Sequence, residues 1–141
     1  MQTILTEITA LLATASSLPV HVSVPTPQAE ALFAWPWRVD LDESIKNAQI
    51  PSRDPTIPPQ ASPVRIQFLL VAQQADRSQS MATLLACAHV LEANPIVRVG
   101  GAEGRVVFSS LPNPDLCGVF TASGVLMQPC LSYSLSVMSR F

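Results

Sequence analysis

The chain is 141 residues long, has a mass of 15.1 kDa and is 48% hydrophobic, which suits one globular domain with a single core. Only 13% of its residues are charged, against about 25% in an average soluble domain. The formal net charge is −2 and Lys46 is the only lysine, so the chain lacks the basic footprint of a nucleic-acid-binding protein. Intrinsic disorder is disfavoured, because it goes with low hydrophobicity and high net charge.

No apolar run approaches the ~18 residues that a membrane-spanning helix needs. The N-terminal segment carries no basic side chain and is interrupted by Glu7, which argues against a signal peptide. We therefore expect a cytoplasmic protein without membrane insertion. Cys87, Cys117 and Cys130 are odd in number and have no CxxC spacing, which predicts reduced, mostly buried thiols and neither a disulfide framework nor a zinc site.

The first third of the chain predicts one helix and two strands. Residues 1–15 repeat apolar side chains at helical spacing, and residues 20–24 alternate apolar and polar side chains as a half-buried strand does. Residues 32–39 form a second strand that is rich in aromatic side chains. Pro36 lies within this strand and cannot donate a ladder hydrogen bond, so the strand is expected at a sheet edge or with a bulge.

A long proline-rich loop is predicted over residues 40–63, where the apolar periodicity ends and five prolines fall within thirteen residues. Loops of this length are usually functional, and two interpretations stay open: an arm that contacts another subunit, or a flexible excursion. The candidate interaction residues lie in this loop and in the strand before it, and they are Trp35, Trp37, Asp40, Asp42, Glu43, Lys46 and Arg53.

The second half of the chain predicts a central strand, a long helix and several shorter elements. Residues 64–72 become wholly apolar, as in a strand covered on both faces. Asp76 is expected to cap the helix that follows. The remaining elements are, in chain order, the helix 77–93, the strands 96–99 and 105–108 around a glycine-rich turn at 100–104, the short helix 115–123 and the strand 131–137.

Strands outnumber crossover helices in this order, which predicts an α+β fold. We expect a single domain over residues 1–141, with a mixed, mostly antiparallel sheet and helices on one face. The apolar faces predict a core formed by Ile8, Leu11, Phe68, Leu70, Leu84, Leu85, Leu91, Tyr133 and Leu135.

Catalytic patterns are missing from the sequence. There is no GxSxG elbow, and the glycine-rich segment 100–104 lacks the lysine of a phosphate-binding loop. His21 and His89 have no partner at metal-ligand spacing. Cys87 and His89 would point about 160° apart on a helix, so they cannot share a proton. We therefore expect no enzymatic activity, no cofactor and no metal.

Six segments carry a resemblance that runs along most of the chain. In this order and spacing, they resemble the tail cap, or tail terminator, proteins of phage-tail-like contractile injection systems of the antifeeding-prophage type. The segments are LPVHVS at 18–23, EALFAWPWRV at 30–39, IKNA at 45–48, PVRIQFLLVA at 63–72, LLACA at 84–88 and QPCLSYSL at 128–135.

The resemblance implies a tail-terminator-like fold and a structural role. Such a protein forms a ring, expected to be a hexamer, that ends the inner tube and anchors the last sheath ring. Its partners would be copies of itself, the inner tube protein and the sheath protein, in a particle assembled in the cytoplasm. Two alternatives remain: a terminator or connector subunit of a true phage tail and, more distantly, a small ligand-binding domain or enzyme.

Overall fold

A computed structural model describes residues 5–27, 30–41, 61–99 and 102–140. Within these residues the strands form one sheet in the order β1-β2-β3-β6-β5-β4, in which β1 is parallel to β2 and every other pair is antiparallel. The elements are α1 (Thr6–Ala15), β1 (Val20–His21), β2 (Ala31–Leu41), β3 (Ala61–Gln73), α2 (Arg77–Ala93), β4 (Ile96–Val99), β5 (Ala102–Phe108), α3 (Asn113–Ser123) and β6 (Cys130–Arg140).

The predicted α+β class and the mixed, mostly antiparallel sheet are confirmed. Two strands extend into the segment predicted as the loop 40–63, since β2 reaches Leu41 and β3 begins at Ala61. Residues 42–60 lie outside the described residues. Pro63 lies within β3 opposite Met138 of β6, and the described pairing of β3 with β2 begins one residue later, at Val64. The predicted strand 20–24 is shorter than expected, with pairing only at Val20 and His21.

Local signals explain where the helices begin and end. The Asp76 side chain accepts a hydrogen bond from the Ser78 N–H at 2.9 Å, so the predicted cap of α2 is confirmed. The third helix begins two residues earlier than predicted, at Asn113, because Pro114 fits the first turn of a helix. It ends at Ser123 and is followed by Gly124, whose φ of 69° is a left-handed conformation that glycine adopts without strain.

Helices cover both faces of the sheet. The first core cluster joins α1 and α2 to one face, which agrees with the prediction that the helices share one face of the sheet. The second cluster places Phe120 of α3 against Trp35 and Leu69 on the opposite face, so α3 departs from that prediction. The reason is that residues 31–35 and 68–72 are buried without alternation, and a strand that is apolar on both sides needs cover on both sides.

The predicted core is confirmed at seven of its nine positions. Leu11 is half-buried against that core. Leu85 is wrong, because 64% of its surface is exposed. The buried stripe of α2 runs through Leu84, and the next residue along a helix is turned by about 100° away from it. The seven confirmed residues are Ile8, Phe68, Leu70, Leu84, Leu91, Tyr133 and Leu135.

Candidate interaction surface

A β-bulge interrupts β2 at the predicted position. Pro36 lies opposite Phe68 and Arg38 lies opposite Gln67, so Trp37 is an extra residue with no partner of its own in β3. Among the described strands, β1 pairs only with Leu32 and Phe33, which leaves β2 as the sheet edge from residue 34 onward. Both outcomes that Pro36 predicted, an edge position and a bulge, are therefore confirmed.

Pro36 also sets the chemistry of this edge. The Leu32 N–H donates outward to the Pro19 carbonyl at 2.9 Å. Backbone N–H groups of alternate residues in a strand point the same way, so residues 32, 34 and 36 are the positions whose N–H would point away from β3. Proline has no N–H, and the edge therefore lacks a donor that an added strand would need.

The bulge decides which side chains reach the face that carries α3. Trp35 lies on that face before the bulge, and the extra residue lets Arg38 and Asp40 lie there after it, beside Gln67 of β3. Asp40 accepts hydrogen bonds from Arg38 Nε at 2.8 Å and from Gln67 Nε2 at 3.1 Å. Without the bulge, strict alternation would direct Arg38 and Asp40 to the face covered by α1 and α2.

Part of this face has no helix above it among the described elements. From Asp40 the register continues across the sheet through Arg65, Ser136 and Arg105 to Ile96. Antiparallel sheets can present such a face to water. We call this area the sheet surface; it comprises half-buried Asp40 and the exposed residues Arg38, Arg65, Ile96, Arg98, Glu103, Arg105 and Val107.

The predicted interaction residues fall into four groups. Trp35 is 4% exposed and its ring meets Phe120 edge-on, with ring centroids 5.4 Å apart, so it packs the core of the isolated chain. Trp37 is half-buried against the second core cluster, and its Nε1 is buried with no hydrogen-bond partner among the described residues. Asp40 belongs to the sheet surface. Asp42, Glu43, Lys46 and Arg53 lie outside the described residues.

Arg65, Arg98 and Arg105 are not among the interaction residues predicted from the sequence. Each alternates with apolar residues of the core, for example Arg65 beside Ile66, and that alternation indicates an outward position. Only the strand order places them on one surface, because β3, β6, β5 and β4 are neighbours in the sheet but not all in sequence.

The cysteines occupy three different environments. Cys87 is buried and Cys130 is half-buried, and burial raises the pKa of both thiols, that of Cys87 to about 11. Cys117 is exposed, contrary to the prediction of mostly buried thiols. The described residues contain no group of three histidine, cysteine or acidic side chains that could hold a metal ion.

An uncharged groove of about 540 Å³ lies at the other end of the sheet. It runs between the segment that follows β1 and the turn after α3, where Leu126 is 86% exposed. Gln73 and Gln128 are joined at its wall by a hydrogen bond of 2.9 Å from Gln128 Nε2 to Gln73 Oε1. No helix in the described part of the chain has the length and hydrophobicity to cross a membrane.

No protein-family model matches the sequence, and a search of curated proteins gives no significant match. Solved structures do match. The sheath/tube terminator of the extracellular contractile injection system PVC, in its extended state, superposes with a TM-score of 0.68 at 17% identity, covering 100% of this chain and 56% of that one. The tube-terminating cap of the anti-feeding prophage superposes with a TM-score of 0.68 at 15% identity, covering 96% of this chain and 53% of that one.

The chain therefore has the tail-terminator fold, and the resemblance seen in the sequence is confirmed at the level of the fold. It spans a little over half the length of each of these two solved chains.

Proposed function

We propose that this chain is a tube-terminating cap of a contractile, phage-tail-like particle. The observation that carries the proposal is the superposition of 100% and 96% of the chain on two proteins of that role, at a TM-score of 0.68 for each. One fold can serve many different functions, so the proposal also needs surfaces that are suited to assembly. The sheet surface is such a feature, because no described helix covers it and most of its side chains are charged.

In this role the chain would act by binding and not by catalysis. Copies of the chain would form a ring, proposed as a hexamer, that contacts the inner tube protein on one side and the last ring of sheath protein on the other. A ring needs one patch of each subunit to meet a different patch of the next. The proposal includes assembly in the cytoplasm and requires no cofactor, metal or nucleic acid.

The segment between β2 and β3 is proposed as an arm toward a neighbouring subunit. Its sequence carries Asp42, Glu43, Lys46 and Arg53 among four prolines, and proline lowers the conformational entropy lost on docking. The pairing of Leu41 with Val64 holds the flanking ends of β2 and β3 side by side. Replacing residues 49–59 with a short Gly/Ser linker should leave the domain folded and abolish incorporation into particles, whereas normal incorporation would contradict the arm.

Deleting the coding sequence from the source organism tests the proposed function. We expect electron micrographs to show tubes and sheaths of irregular length, or no stable particles, with recovery when the intact chain is supplied in trans. A matched control supplies Leu84→Asp, which places a charge in the core and should not rescue. Particles of normal length with extended sheaths in the deletion strain would contradict the terminator role.

A further inference from the structure

The sheet surface has the opposite charge sign to the rest of the chain. It contains four arginines, Arg38, Arg65, Arg98 and Arg105, against two acids, Asp40 and Glu103. Since the full chain has eight basic and ten acidic side chains, the residues elsewhere comprise four basic and eight acidic ones. A surface with a net positive charge on an acidic chain is therefore complementary to other parts of the same chain.

The α2 helix carries an exposed apolar stripe on the opposite side of the sheet. Met81 is 58% exposed and Leu85 is 64% exposed, although both lie in the middle of a helix that packs on the core. Exposed Glu92 follows within about 40° of them around the helix axis. We call Met81, Leu85 and Glu92 the helix stripe. It combines two apolar side chains with a carboxylate, and exposed Arg77 lies one turn before Met81, at the end of the helix away from Glu92.

We propose that the helix stripe of one copy docks on the sheet surface of the next copy. Glu92 would face arginines, and Met81 and Leu85 would cover the exposed apolar side chains of the sheet surface, Ile96 at 54% and Val107 at 46%. The contact joins two different patches, so every copy keeps one free patch for another neighbour. This inference rests on the proposed function, which requires such a head-to-tail contact, and it names the surfaces that form it.

Two double variants test the contact by sedimentation velocity or by light scattering after size exclusion. The first variant, Arg65→Glu with Arg105→Glu, reverses the net charge of the sheet surface. The second variant, Met81→Lys with Leu85→Lys, gives the helix stripe positive charges that repel the arginines of the sheet surface. We expect each variant to remain folded by circular dichroism. Each should need a concentration at least about tenfold higher than the unmodified chain to self-associate, because like charges placed opposite each other disfavour docking strongly.

Mixing the two variants gives the decisive result. The first variant keeps an intact helix stripe and the second keeps an intact sheet surface, so together they should form a one-to-one complex that neither forms alone. Arg77→Glu is a control for charge sign, because it adds a negative charge beside Met81 and should not weaken association. Leu126→Lys is a control for position, because Leu126 is exposed at the groove and away from both patches.

Several results would overturn the proposal. They are a monomeric unmodified chain at all concentrations tested, variants that associate as the unmodified chain does, a mixture with no complex, or loss of association in Leu126→Lys alone. The deletion phenotype is independent of these results. A chain that caps particles while both double variants still assemble would retain its function and lose this assignment of surfaces.

Discussion

Glu7 of α1 accepts a hydrogen bond from the backbone N–H of Arg98 in β4, with the Oε2 to N distance at 2.6 Å. Because β4 is the last strand of the described sheet, this N–H would otherwise be open to an added strand. At the opposite edge, Pro36 removes a donor from β2. Both edges therefore offer fewer backbone donors to an added strand. At β4 a helix carboxylate already accepts from the Arg98 N–H, and at β2 the N–H of residue 36 is missing.

Glu7→Ala should release the edge of β4. We expect the free energy of unfolding to fall by about 1 kcal/mol, the usual net value of one hydrogen bond, and the Arg98 amide to exchange with solvent faster. Glu7→Gln retains an acceptor oxygen and is the control. Unchanged exchange at Arg98 in Glu7→Ala would show that the carboxylate does not protect this edge.

Leu84 and Leu85 are adjacent residues of α2 with opposite environments. Leu84 is 5% exposed and Leu85 is 64% exposed. Leu84→Ala should therefore lower the free energy of unfolding by about 2–5 kcal/mol, the range for a buried leucine. Leu85→Ala should change it by less than about 0.5 kcal/mol, as surface substitutions do. Urea denaturation of the two variants provides the measurement, and equal losses would mean that the helix faces are assigned wrongly.

Gly104 and Gly118 differ in the space available to a side chain. A Cβ at Gly104 would lie 2.9 Å from Leu135 Cδ1 and 3.1 Å from Val99 Cγ2, whereas one at Gly118 would meet nothing within 4 Å. Gly104→Ala should destabilise the protein by about 1–3 kcal/mol through overpacking. Gly118→Ala, within α3, should stabilise it by up to about 1 kcal/mol through helix propensity. Thermal unfolding measures both, and tolerance of alanine at Gly104 would contradict the close packing of β5 on β6.

The buried thiol of Cys87 and the buried phenol of Tyr133 should make the free energy of unfolding fall at alkaline pH. Burial raises the pKa of Cys87 from 9.0 to about 11. Burial, followed by the negative charges of Glu92 and Cys87, raises the pKa of Tyr133 from 10.0 to about 12. Each group has its ordinary pKa in the unfolded chain and the raised pKa in the folded chain. At a pH between these two values the unfolded chain has lost a proton that the folded chain keeps, so rising pH favours unfolding.

For Cys87 the contribution is fully present below pH 9.0 and is lost as the pH rises through about 11. Cys87→Val should therefore flatten the decline of the free energy of unfolding over that interval. Cys117→Ala removes an exposed thiol and should leave the slope unchanged. A slope that is identical in Cys87→Val and in the unmodified chain would show that this thiol does not set the alkaline limit.

Sequence patterns predicted the elements better than their ends or their faces. Pro36 predicted the bulge because a missing N–H has a local effect that a sequence displays. The glycine-rich sequence predicts a turn that includes Gly104, yet Gly104 lies in β5, where its lack of a side chain permits close contact with Leu135. Leu85 was assigned to the core because apolar residues on a helix do not reveal which of them meets the sheet.

The sheet surface could not be predicted in the same way. Arg65 and Arg105 are forty residues apart in sequence, and they lie on either side of Ser136 only because β6 inserts between β3 and β5. A strand order is a property of the whole chain, whereas alternation is a property of one strand. The sequence could show that each arginine points outward, but not that they share a surface.

In its proposed function this chain closes one end of a tube. Electron microscopy of particles that carry an epitope-tagged copy, labelled with a gold-conjugated antibody, tests it most directly. We expect label at one end of each particle, at the end opposite the baseplate. Label distributed along the tube or sheath, or particles without label in a strain that expresses the tagged chain, would contradict the claim.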